Sequence, residues 1–304
     1  MKRKVVKQGP TTLMVSLPSQ WVKRYSIAKG DELEVEEVER SICITTAKAR
    51  ASEPVEFDAR NLDQDTIKKF LSELYKAGYD EVNILFDSAK IVPQIQNIVS
   101  SVMIGFEIVN HFENSVVIKS VSQSIEQEFD SILRRIFLLT KQLGTSSYEL
   151  IAKKEYARLS EVVIIEDTND KLTNFCMRIL NKRGYKKYSK TQFMYCIIWQ
   201  IEKIADEYKY IFEYLMQNPD TKISAHALAL YNEAISLFND YYELFYSYNK
   251  EGVVKLTKRS RKLIEESMQQ LCNSKSKQDV FLTHCSVLLN RIYNLISPLI
   301  GLNV

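Results

Sequence analysis

Three different periods of apolar and polar positions follow one another along this chain of 304 residues. Up to about residue 50 the pattern is short and strand-like. "RKVVK" is β-prone, "QGPTT" turns through Gly9 and Pro10, and "TLMVSL" runs apolar as a buried strand does. Pro18 stands where a helix "SQWVKRY" can begin, because proline is tolerated in a first turn. Gly30 ends that unit, "ELEVEEV" alternates charged and apolar residues, and "SICITT" makes a fourth strand. The prediction is ββαββ. So short a unit needs a metal, disulfides or a partner to be stable. With no Cys pair or His cluster in it, a second copy of the chain is the simplest partner.

From 51 to 120 the pattern becomes mixed. "DQDTIKKFLSELYKAG" is an amphipathic helix with an acidic start and a glycine stop, and "DEVNILF" is a strand. "SAKIVPQIQNIVSSVMIG" is a helix with an irregular first turn at Pro93, and "GFEIVNHFENSVVIKSV" is two strands around "FEN". This segment is expected to be a small α/β module.

From 121 to 304 helical periodicity takes over. Helices are predicted from Ser122 to Gly144, Ser146 to Arg183 and Ser189 to Gln217, then a break at "NPDTK", then 223–249, 253–273 and 277–300. Three helices, a break and three more suggest duplicated three-helix bundles, about 121–217 and 222–304. The expected fold is mixed and multidomain: an all-β dimerising unit, an α/β module and an all-α region.

A composition of 45% hydrophobic and 26% charged residues fits a globular protein and excludes a disordered one. The net charge of +3 is too small to mark the whole chain as a nucleic-acid binder, so any electrostatic message is local. The N-terminus lacks a signal-peptide core, and the candidate span "IVPQIQNIVSSVMIGFEIV" is interrupted by Pro93, Gln94, Gln96 and Asn97. Cys43, Cys176, Cys196, Cys272 and Cys285 are scattered and read as reduced, packed thiols. A cytoplasmic protein without membrane insertion is expected.

The motifs carry two resemblances. "KRKVVKQGPTTLMVSLP", "SQWVKRYSI" and "KGDELEVEE" resemble the AbrB/SpoVT-type swapped-hairpin DNA-binding domains. That likeness implies a barrel-like homodimer with a basic face on double-stranded DNA. "YCIIWQIEKIADEYKYIFEYL" and "EVVIIEDTNDKLTNFCMRIL", each with a Glu-x-x-x-Asp pair, resemble the PhoU family of phosphate-uptake regulators. This implies multinuclear iron or zinc sites and a role in phosphate homeostasis.

Chemistry narrows these expectations to residues. Lys2, Arg3, Lys4, Lys7, Lys23, Arg24 and Lys29 are seven cations with no acid before Asp31, as a duplex-DNA contact requires. The acids Asp31, Glu32, Glu34, Glu36, Glu37 and Glu39 would face elsewhere. Arg3, Arg24 and Gln8 could make bidentate base contacts. A solvated basic arm is the competing reading.

Glu166 with Asp170, and Glu202 with Asp206, lie one turn apart on neighbouring helices and could hold a hard cation: magnesium, manganese or iron, with zinc implied by the resemblance. Lysine pairing through Lys171 or Lys203 is the alternative. The second half has Asn290 and Asn294 at the matching places, with only Glu265 and Glu266 on the preceding helix, so one site is expected rather than two.

No nucleophile elbow, phosphate loop or zinc-protease motif is present, so no enzyme is expected. His284 beside Cys285 reads as a packed helix residue rather than half of a dyad. The expectation is a DNA-binding regulator of phosphate uptake with a helical sensor. The alternative is an adaptor docking on a phosphate transporter ATPase or a phosphate-signalling protein, and an antitoxin-like module is a third.

Overall fold

The structure is a computed structural model that describes residues 1–38, 41–46, 54–121, 128–273 and 278–304. Glu39, the boundary at residue 50 and the serine cap at 122 fall outside these. The chain divides into two compact units, Met1–Ser52 and Glu53–Val304.

In the first unit, strands β1 (Val6–Gln8) and β2 (Thr12–Met14) form one antiparallel hairpin, turning at Gly9 with φ 83°. Helix α1 (Ser19–Arg24) follows Pro18, and its last turn carries Lys23 and Arg24, which complement the negative end of the helix dipole. A second hairpin pairs β3 (Leu33–Val38) with β4 (Ser41–Thr46). The expected ββαββ order is therefore present, with β1 starting later than "RKVVK" suggested. Each hairpin is its own two-stranded sheet, and no barrel is closed within one chain among the described residues. Val6, Leu13, Val35 and Ile42 are 59%, 70%, 62% and 69% exposed, so the apolar positions that specify the strands are uncovered.

The second unit opens with a four-stranded sheet of order β5-β6-β8-β7, from β5 (Val55–Asp58), β6 (Glu81–Leu85), β7 (Phe106–His111) and β8 (Ser115–Ser120). Helix α2 (Gln64–Ala77) makes the crossover between the parallel pair β5 and β6. It begins on Asp63, whose carboxylate accepts from the Thr66 amide at 2.9 Å, and ends at Gly78 in the left-handed region. A single 3₁₀ turn, Ala89–Ile91, leads into α3 (Val92–Val102), the irregular start expected at Pro93. Ile67, Leu71 and Tyr75 of α2 and Ile95, Val99 and Val102 of α3 bury against Val82, Ile84, Val116 and Ile118 of the sheet.

Six long helices follow: α4 (Phe129–Ala152), α5 (Ser160–Arg183), α6 (Thr191–Gln217), α7 (Ala225–Tyr246), α8 (Lys250–Asn273) and α9 (Gln278–Asn294), with short α10 (Ile296–Asn303) after them. The break between the two triplets lies at 218–222, where expected. One continuous core runs through both triplets, from Leu133 to Leu299.

Two helix boundaries are corrected here, the end of α4 and the start of α5. Helix α4 passes through Gly144 and ends at Ala152, because Gly144 is a packing residue. A Cβ there would stand 2.9 Å from Tyr208 Oη and 3.0 Å from Ile235 Cγ1. The chain instead breaks at Lys154, with φ 60°, and a 3₁₀ turn over Tyr156–Leu159 precedes α5.

Asp279–Asn303 is long and apolar enough to cross a bilayer, unlike the 91–109 stretch judged from the sequence. Its Leu288, Leu289 and Ile292 are buried in the helical core. Cys176 and Cys285 are buried, whereas Cys43, Cys196 and Cys272 are exposed, so three of the thiols are not packed as expected.

Candidate nucleic-acid interface and carboxylate cluster

Lys2, Arg3 and Lys4 precede β1, Lys7 and Gln8 lie on it, Lys23 and Arg24 end α1, and Lys29 sits just before the Gly30 turn. All eight side chains are exposed, and none of the seven cations is paired with an acid among the described residues. Lys7 and Gln8 are adjacent on a strand and so point to opposite faces. Across the hairpin, Lys7 is opposite Leu13 and Gln8 opposite Thr12. The first acid is used locally: Asp31 accepts from the Ala28 amide at 2.8 Å and shapes the turn into β3. In β3, Glu34 and Val35 are adjacent and so point to opposite faces. Unpaired cations on short, exposed elements can meet phosphates without first breaking internal salt bridges.

The four acids of α5 and α6 do come near one another. Burial pushes the Glu166 carboxyl up to about 7, despite a hydrogen bond from Lys209 Nζ at 2.7 Å. Burial, then the neighbouring Asp206 charge, pushes Glu202 up to about 7 as well. Asp170 is raised by burial and accepts from Asn174 Nδ2 at 3.0 Å. Lys203 Nζ donates to Glu202 at 2.9 Å and to Asp206 at 2.8 Å. For both lysines burial acts downward, but hydrogen bonds and charge from the acids outweigh it and hold them above the usual range.

Three of the four acids are therefore held by lysines, Glu166 by Lys209, and Glu202 and Asp206 by Lys203. Among the described residues no three Asp, Glu, His or Cys side chains converge as a metal cage. As placed, the residues do not fit a bound cation, because lysine ammonium groups already engage Glu166, Glu202 and Asp206.

Lys203 pairs as the alternative reading held, but Lys171 donates to the Ser100 carbonyl at 2.5 Å and Lys209 takes Glu166. The Lys209 contact crosses between helices, so no i, i+4 spacing could reveal it. His284 Nδ1 lies 2.5 Å from Glu207 Oε1, joining α9 to α6, while Cys285 is fully buried. In the second triplet Glu266 approaches Lys262 at 3.6 Å, and Asn290 Nδ2 donates to the Ser286 carbonyl at 2.8 Å.

No curated protein and no solved structure matches the chain. Residues 6–52 match the family model described as antidote-toxin recognition MazE, bacterial antitoxin. The first unit is thus similar to that antitoxin family over a stretch holding Lys7, Gln8, Lys23, Arg24 and Lys29, and the match stops before the second unit.

Proposed function

We propose that this chain is a dimeric, non-enzymatic DNA-binding regulator, in which two first units exchange or pair their hairpins and present their cations to a duplex. One observation carries the reading: within residues 6–52 the antitoxin-family match coincides with exposed, unpaired cations and uncovered apolar strand residues. Two copies would cover Val6, Leu13, Val35 and Ile42 and double the positive groups. The helical part then serves as sensor or docking module, and its resemblance to PhoU-type regulators supports phosphate homeostasis as the setting.

The test is binding of the full-length protein to a labelled duplex at about 50 mM and about 200 mM salt, where phosphate contacts of this number lose affinity steeply. The Lys4, Lys7, Lys23 and Arg24 to Ala variant should lose both the affinity and its salt slope while staying dimeric. No binding by the wild-type protein at the lower salt would sink the reading. An antitoxin-like role, in which the first unit dimerises and the chain captures a protein, is the second reading, favoured by the family match itself.

A further inference from the structure

Helix α9 leaves one face outside the helical core. Thr283, Ser286, Asn290, Arg291 and Asn294 recur along it at helical spacing, and with Leu271 of α8 and Val287 they line an open groove of about 310 Å³. That volume is at the small end for ligand sites. None of these described lining residues is acidic, and Arg291 is the one charged group.

The donors in the groove exceed the acceptors offered to them. Arg291 Nε is buried and has no hydrogen-bond partner among the described residues. Buried guanidinium N–H groups are ordinarily satisfied. Asn290 Nδ2 spends one hydrogen on the Ser286 carbonyl, and Ser267 Oγ donates to Ser286 Oγ at 3.1 Å. Thr283 Oγ1 donates to the Asp279 carbonyl at 2.7 Å. Among the described residues, what stays available is the Arg291 fork, the second hydrogen of Asn290 and the exposed amide of Asn294. On α8, which packs against α9, Arg261 donates to Tyr293 Oη at 3.3 Å.

We propose that this groove binds a small free oxyanion. Arg291 grips two of its oxygens, and Asn290 and Asn294 donate to the rest. A guanidinium fork matches a carboxylate or phosphate bidentately, and the absence of a lining acid removes the repulsion such a guest would meet. The site is independent of the DNA-binding proposal, because it uses none of the cations of residues 2–29.

The experiment is calorimetric titration of the full-length protein with inorganic phosphate and, separately, with citrate. Wild type should bind at least one of the two, and Arg291→Gln should weaken that binding roughly tenfold, the loss of a charge-assisted pair. The variant with Lys4, Lys7, Lys23 and Arg24 changed to Ala should bind the anion unchanged, which separates this groove from the N-terminal cations.

No heat from either anion up to about 10 mM, already a very weak affinity, overturns the proposal. So does equal binding by wild type and Arg291→Gln. If Arg291→Gln fails to fold, the exposed substitution Asn294→Ala decides: weaker binding supports the site and unchanged binding overturns it.

Discussion

Arg178 of α5 and Asp80, at the entry to β6, form an ion pair that joins the helices to the α/β layer. The same guanidinium donates from Nη1 to the carbonyls of Tyr75 and Tyr79, both at 2.8 Å, and lies 4.9 Å from the ring centroids of Tyr75 and Phe106. Lys182 adds a second cation on Asp80 at 2.6 Å. Phe175 and Ile179, on the same helix, complete the core of the sheet layer.

Replacing Arg178 therefore removes a charge, two carbonyl partners and two cation–π contacts from a side chain only 5% exposed. Arg178→Met should cost about 3 kcal/mol, the low end for breaking a buried pair, since Asp80 keeps Lys182. Arg178→Lys should recover little of it, because an ammonium cannot span the same acceptors. Chemical denaturation followed by circular dichroism reads both values, and a loss under about 1 kcal/mol for the Met variant would show the joint to be unimportant.

Gly144 gives a prediction of opposite origin, from crowding. Alanine is the better helix former by about 1 kcal/mol, yet its methyl would press on Tyr208 Oη and Ile235, both buried. Overpacking should win, so Gly144→Ala lowers stability by about 1 kcal/mol net. A raised melting temperature would mean that α4 and α7 can part without cost.

Two buried tyrosines should respond in opposite senses. Tyr231 Oη lies 2.7 Å from Ser147 Oγ, whereas Tyr241 Oη is buried without a hydrogen-bond partner among the described residues. Tyr241→Phe should then raise stability, and Tyr231→Phe should lower it, each by about 1 kcal/mol. Parallel melts of the two variants check the pair, and two shifts of the same sign contradict it.

The buried carboxyls set a pH dependence. Glu166 and Glu202 are held at about 7, above the ordinary 4.5, with burial the main cause. The folded chain thus keeps protons there that the unfolded chain has released. Their stabilisation is complete below the ordinary value and is lost as pH rises through about 7. The denaturation midpoint of the wild type should fall between about pH 5 and about pH 8 relative to that of a Glu166→Gln, Glu202→Gln variant. Parallel curves for the two proteins would show that these carboxyls titrate normally.

Most elements were legible because their signals are local. The Asp63 cap and Gly78 stop bound α2, Pro93 marks the irregular start of α3, and "NPDTK" separates the two helical triplets. Strand β5 was not foreseen, since "VEFD" is four residues long and owes its place to pairing with β6. Gly144 was misread as a stop because its reason is a neighbour on another helix. The cations of residues 2–29 and the clustering of Glu166, Asp170, Glu202 and Asp206 could be read from charge and spacing. The Lys209 contact that ties up Glu166, and the orphan donor on Arg291, depend on side chains distant in sequence or on burial.

The uncovered hairpins also bear on dosage. A sheet of two short strands with its apolar residues in water has little stability of its own. Where order depends on a second chain, the folded fraction depends on protomer concentration. On the dimer reading, DNA occupancy would climb more steeply than protein level. Below a threshold abundance the N-terminal strands would, on that same reading, be left as targets for proteases.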